Sequence, residues 1–139
     1  MLDIRFVCEN PELVKENIRK KFKDAKLPLV DEAIELYNRK CAANTRANDL
    51  RANRNKISKE IGMLMGKGLR EEAEEKKLLV TKQAEELAAL EKEEAEVEAS
   101  LKEVMMKIPN IVDDSVPVGK DDSENVEVEC FGEKTQVDF

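Results

Sequence analysis

LYNRKCAANTRANDLRANRNKISKEIGML, residues 36–64, and VTKQAEELAALEKEEAEVEASLKEVMMKI, residues 80–108, carry the pattern that decides the fold. In the first, Leu36, Ala43, Ala47, Leu50, Ile57, Ile61 and Leu64 occupy the a and d positions of one heptad frame, interrupted only by Lys40 and Arg54. In the second, Val80, Leu87, Leu90, Val97, Leu101, Val104 and Ile108 do the same, interrupted by Gln83 and Glu94. Apolar residues that return every 3.5 positions over several heptads describe a coiled-coil seam. The short Gly66-Lys67-Gly68 connection makes the two helices antiparallel neighbours. Pairing positions whose numbers add to 137 aligns the frames, with Leu50 on Leu87, Ala47 on Leu90, Ile57 on Val80 and Leu36 on Leu101. That register sets Arg54 opposite Gln83, where a structural hydrogen bond in the seam rivals an outward, ligand-binding role for Arg54, and puts Lys40 about one layer from Glu94. Polar breaks meet polar breaks, which is a means of fixing register.

The two limbs carry opposite charge. From Tyr37 to Lys67 there are eight Lys and Arg against Asp49 and Glu60, a net +6; from Glu71 to Lys107 there are twelve acids against six Lys, a net −6. The overall charge of −7 argues against nucleic acid only if this segregation is ignored. One limb is built to meet an anion.

A hairpin of this length takes more than half of the 139 residues and leaves little for a globular part. With 40% charged residues, 4% aromatics, no Trp and no His, an aromatic-lined pocket is not expected. Such compositions are often disordered, but periodic apolar residues argue for long solvated helices instead. Cys8, Cys41 and Cys130 have no metal-ligand spacing and no His to complete a zinc site, and read as reduced thiols. No signal-peptide core is present and no apolar run approaches the ~20 residues needed to span a bilayer, so a cytoplasmic chain without a membrane role is expected.

Three regions follow. Residues 1–28 hold small helices at the base of the hairpin: Leu2, Phe6 and Val7 form one apolar face, and Asn10-Pro11-Glu12 marks a helix start with Asn10 as cap. Leu13, Val14, Ile18 and Phe22 are the expected buried stripe of that helix, Arg19, Lys20, Lys21, Lys23 and Lys26 its basic C-terminal end, and Pro28 its break. Residues 29–108 form the hairpin, with a tip loosened near 62–69 by Gly62, Gly66 and Gly68. Residues 109–139 form a linker and, at Val126 to Cys130, a first strand. The predicted class is all-α, a long antiparallel two-helix coiled-coil hairpin with small N-terminal helices and an extended C-terminal tail.

The residues Leu2-Asp3-Ile4, Glu9 to Glu12, Val30-Asp31-Glu32, Arg54-Asn55, Ser58 to Gly62, Ile108-Pro109-Asn110-Ile111, Ser115 to Gly119, Asn125 to Val128 and Gly132-Glu133 stand in an order that resembles the N-terminal arm of seryl-tRNA synthetases. Departures are Asn53 where the family usually has an acid, Val112-Asp113-Asp114 in place of a Pro- and His-containing segment, and Phe131 in place of an aromatic that is often Trp. The resemblance implies a class II enzyme, active as a homodimer, whose arm holds the long variable arm of serine tRNA. Seryl-adenylate formation from serine, ATP and magnesium belongs to a catalytic domain that would follow Phe139. The chain alone is then expected to be inactive, with no cofactor, catalytic or metal site and no DNA partner.

A-form RNA is held through its backbone and shape, so the arm needs cations at phosphate spacing. Arg39, Arg46, Arg51, Arg54, Lys56 and Lys59 are the candidate tRNA-binding residues, with Arg39 and Arg46 on one flank and Arg51 and Arg54 on the other. The competing reading is a coiled-coil interaction or scaffold module whose cations only pair with glutamates of the return helix. That pairing alone would not require the basic excess to sit on one limb.

Overall fold

The structure, a computed structural model, describes residues 1–132. Two short helices, α1 (Ile4–Glu9) and α2 (Pro11–Lys20), and a 3₁₀ turn at Asp24–Lys26 lead into α3 (Leu27–Gly66), which returns as α4 (Arg70–Lys107). At 1.5 Å per residue, α3 and α4 are rods of roughly 60 Å and 57 Å. The all-α hairpin read from the heptads is what forms, and each a or d apolar residue named above is buried or half-buried. Ala73, one heptad before Val80, extends the seam by a further layer.

The turn is tighter than its glycines suggest. Helix α3 continues through Gly62 to Gly66, so only Lys67, Gly68 and Leu69 reverse the chain. The Leu69 N–H donates to the Leu64 carbonyl (3.0 Å) and the Gly68 N–H to that of Met65 (3.2 Å), a Schellman arrangement. Gly68 takes φ +78°, where a Cβ is disfavoured. Glu71 and Glu72 then sit in the first turn of α4, the favourable end of its dipole for acids.

The main core lies at the base, where Val7 of α1, Val14 and Ile18 of α2, Val30 and Ala33 of α3 and Leu101, Val104, Met105 and Ile108 at the end of α4 pack together. Leu2, Ile4, Phe6, Tyr37 and Ile111 close over it. The short helices could not bury their stripes alone, and the two ends of the hairpin give them a surface.

Several expectations are corrected here. Asn10 does not cap α2 with its side chain; its Nδ2 donates back to the Phe6 carbonyl at 3.2 Å and closes α1, whose own start is capped by Asp3 accepting from the Arg5 N–H at 2.7 Å. Pro28 does not break the chain but lies in the first turn of α3, where a missing N–H has no intrahelical partner to lose. Leu13 and Phe22 are exposed: Leu13 lies off the face of α2 that buries Val14, Asn17 and Ile18, and Phe22 falls beyond the end of α2 at Lys20. Phe22 is the left-handed residue of a second Schellman ending, at φ +54°, with its N–H donating to Arg19 and that of Lys23 to Ile18. No strand forms at Val126 to Cys130, where Val126 and Val128 are exposed and have no neighbouring strand among the described residues. Glu133 and the rest of the tail to Phe139 lie outside the described residues.

The seam also departs from its predicted polar contacts. Lys40 passes over Glu94 and reaches Glu98 at 2.9 Å. Gln83 Oε1 is buried with no donor, so the expected Arg54–Gln83 hydrogen bond is not made. A buried acceptor left unpaired costs more than a shape-matched apolar group. Gln83→Leu is therefore expected to stabilise the hairpin by about 1 kcal/mol in urea unfolding; an equal or lower midpoint would show that Gln83 finds a partner in solution.

Candidate nucleic-acid interface

The six candidate cations divide into two groups by heptad position. Arg39 and Arg46 flank the seam at g, and Arg51 flanks it at e. Arg39 Nη2 donates to Glu93 at 3.0 Å, Arg46 pairs with Glu86, and Arg51 Nη2 donates to Glu91 at 2.7 Å. Glu86 and Glu93 are the g positions of α4 and Glu91 an e position, so the pairs run along opposite flanks of the rod. Arg51 is further steadied by Asn48, at 3.0 Å.

Arg54, Lys56 and Lys59 make no ion pair among the described residues. Lys56 and Lys59, at c and f, point away from α4 by geometry, which is why no glutamate of α4 reaches them. Arg54, at a, starts from the seam and is half-buried. The competing reading thus accounts for Arg39, Arg46 and Arg51 and leaves the other three without a structural use. Glu60, the acid on the same stretch, is itself engaged by Lys76, whose hydrogen bond and charge hold its carboxyl below the ordinary value.

These pairs remain available to a competitor. Their side chains are substantially exposed, 54% and 45% for Arg39 and Glu93 and 66% and 41% for Arg46 and Glu86. Exposed pairs contribute about 0–1 kcal/mol each and are screened by salt. Opening such a pair therefore costs little.

The basic cluster at the end of α2 has other work. Lys26 Nζ donates to the Lys107 carbonyl at 2.9 Å, Lys21 Nζ to that of Asn110 at 2.5 Å, and Lys20 lies 3.5 Å from Asp114. These lysines stitch the base to the exit of α4. The concave surface beside them, about 500 Å³, sets Lys20, Lys21, Lys23 and Lys120 among Asp113, Asp121 and Glu124, a lining of mixed charge. Asn17, which carries no motif in the sequence, is buried here and bonded to the same exit segment.

Residues 1–112 match the family model described as the seryl-tRNA synthetase N-terminal domain. The chain belongs to that family. It is similar to serine–tRNA ligases of Methanocella arvoryzae, 39% identical over its whole length, and Thermotoga maritima, 40% identical over its whole length. In both cases it spans 32% of the relative, so the chain covers about a third of the length of the curated relatives it matches. Among solved structures it is similar to seryl-tRNA synthetase from Pyrococcus horikoshii complexed with ATP, with a TM-score of 0.83 and 37% identity over 91% of this chain and 28% of that one. No helix of the described residues is long and apolar enough to cross a membrane.

Two outcomes are expected for the isolated chain. Arg39→Met with Arg46→Met should lower unfolding stability by about 1 kcal/mol or less per pair, and a larger loss in urea titration would make the pair structural. Neutral replacements are the cleaner test, since charge reversal would set glutamate against Glu93 and Glu86. The Lys40–Glu98 pair should give a pH signature. Lys40 holds the Glu98 carboxyl below the ordinary 4.5, and Glu98 holds the Lys40 ammonium above the ordinary 10.5. The stabilisation is then present between those values, lost as pH falls through the lowered Glu98 value and lost again as pH rises through the raised Lys40 value. Lys40→Met should melt below wild type at neutral pH, with the gap closing in acid; a gap constant with pH would exclude the ion pair as its cause.

Proposed function

We propose that this chain is the tRNA-holding arm of a serine–tRNA ligase. The basic side of α3 grips the long variable arm of serine tRNA, and a class II catalytic domain outside this chain, using ATP and magnesium, attaches serine. In the homodimer that the resemblance implies, the arm of one subunit serves an RNA acylated on the other. The observation that carries the reading is the placement of Arg39, Arg46 and Arg51 in openable flank pairs, with Lys56 and Lys59 facing solvent and Arg54 half-buried, on a rod of this family. A rod roughly 55–60 Å long can lie along an RNA helix and meet several phosphates in turn. The acidic limb limits contact to one side, since a uniformly basic rod would take up RNA without regard to orientation. A scaffold role has less support, because α3 and α4 bury each other's apolar seam and most of the large apolar residues left exposed on the hairpin gather near its tip, at Met63, Met65, Leu69, Leu78 and Leu79.

Gel shifts with the 139-residue chain test this. Binding to serine tRNA should exceed that to a tRNA with a short variable arm, and log K should fall with log salt at a slope of about −3 to −5, for four to six phosphates neutralised. Lys56→Met with Lys59→Met should weaken binding about tenfold or more while leaving the melting temperature unchanged. Equal binding of both tRNAs at every salt concentration would overturn the proposal.

A further inference from the structure

Asn17 is the most deeply buried polar residue among the described residues, at 4% exposure. Both ends of its amide are used, and both on backbone far along the chain. Nδ2 donates to the Asn110 carbonyl at 2.9 Å, and Oδ1 accepts from the Val112 N–H at 2.8 Å. An amide side chain carries a donor and an acceptor on separate atoms, as the backbone does, so Asn17 treats residues 110 to 112 as a neighbouring strand would. Lys21 adds a second donor to the same Asn110 oxygen, and Lys26 holds the Lys107 carbonyl one step earlier.

Ordinary helix capping does not account for this. Helix α4 ends at Lys107, and its free carbonyl there is already met by Lys26. Asn110 and Val112 lie beyond the helix, past Pro109, in backbone with no ladder or helix of its own. What the two bonds of Asn17 control is the direction in which the chain leaves the rod. Burial makes that control stiff, since releasing either bond leaves a desolvated polar group without a partner.

We propose that Asn17 is a positioning residue that fixes the angle between the arm and whatever follows Val112. The clamp itself stands on the geometry alone; its consequence for serylation rests on the function proposed above. An arm held at one angle presents its bound RNA end to a distant active site in one place, and a loosened clamp spreads that end over many places.

The test uses the full 139-residue chain with Cys8→Ser, Cys41→Ser and Cys130→Ser, spin-labelled at Met65→Cys on the tip and Val118→Cys in the tail. Wild-type Asn17 should give a narrow tip-to-tail distance distribution. Asn17→Leu, which keeps the branched side-chain shape but makes neither bond, should broaden it while far-UV circular dichroism stays unchanged. An unchanged width with intact helices would overturn the proposal. Should Asn17→Leu not fold, Asn17→Ala decides, since it removes both bonds without adding bulk to the core: broadening with intact helices supports the clamp and an unchanged width rejects it. In the ligase that carries the arm, Asn17→Leu should lower the kcat of tRNA serylation about tenfold or more. Serine-dependent ATP–pyrophosphate exchange and the Kd for tRNA should stay as in wild type. Equal losses in serylation and exchange would make Asn17 a general folding residue and end its positioning role. Failure of the wild-type chain to bind serine tRNA would instead remove the functional reading, and the distance distribution would then decide the clamp by itself.

Discussion

The antiparallel a/d seam between α3 and α4 is the interaction on which the rest of the molecule depends. Neither helix has a continuous apolar surface beyond this stripe, and an isolated helix with so many charges would gain little from propensity alone. Burying Ala43, Ala47 and Ile57 against Leu87, Val97 and their half-buried neighbours turns two marginal helices into one rod. The seam is narrow, and Ala43 and Ala47 let the helix axes approach while the larger residues of α4 fill the space between. The outer faces are consequently free of packing duties, and their composition can answer to something other than stability.

That freedom explains the charge distribution. An antiparallel pair brings g against g and e against e, so basic flanks on one limb call for acidic flanks on the other. Glu86, Glu91 and Glu93 meet this requirement for Arg46, Arg51 and Arg39. The pairs hold the guanidiniums in fixed directions without holding them tightly, because exposed ion pairs are weak. Lys56 and Lys59, at c and f, lie outside this flank pairing and make no ion pair among the described residues.

The periodic parts of the molecule were legible because heptad spacing depends only on residue type and number. The seam residues, the antiparallel register and the stop at Ile108-Pro109 needed nothing else. Errors came where side-chain reach or a chain reversal decides the outcome. Leu13 and Phe22 fit a helical stripe, but nothing in their spacing shows that α2 ends at Lys20 and turns Phe22 outward. Lys40 reaches Glu98 because a four-carbon stem spans a full helical turn, and Arg54 misses Gln83 although the register sets them opposite. For the candidate site, sequence could nominate six cations but could not say which of them glutamates already occupy.

Asn17 shows the deepest limit. An asparagine within a short helix has no local signature, and its partners lie 93 and 95 residues away, so only folding brings them together. It also explains why the base is needed at all. A two-helix rod joined to its surroundings by the single strand of chain after Pro109 would swing about that joint, since one unpaired backbone segment resists bending poorly. By packing α1 and α2 into the open end of the hairpin, the fold places Asn17, Lys21 and Lys26 along the exit path and gives the joint a second side. The N-terminal helices thus extend the rigidity of the seam past the point where the seam ends, and they do so through hydrogen bonds whose geometry is directional in a way that apolar packing is not.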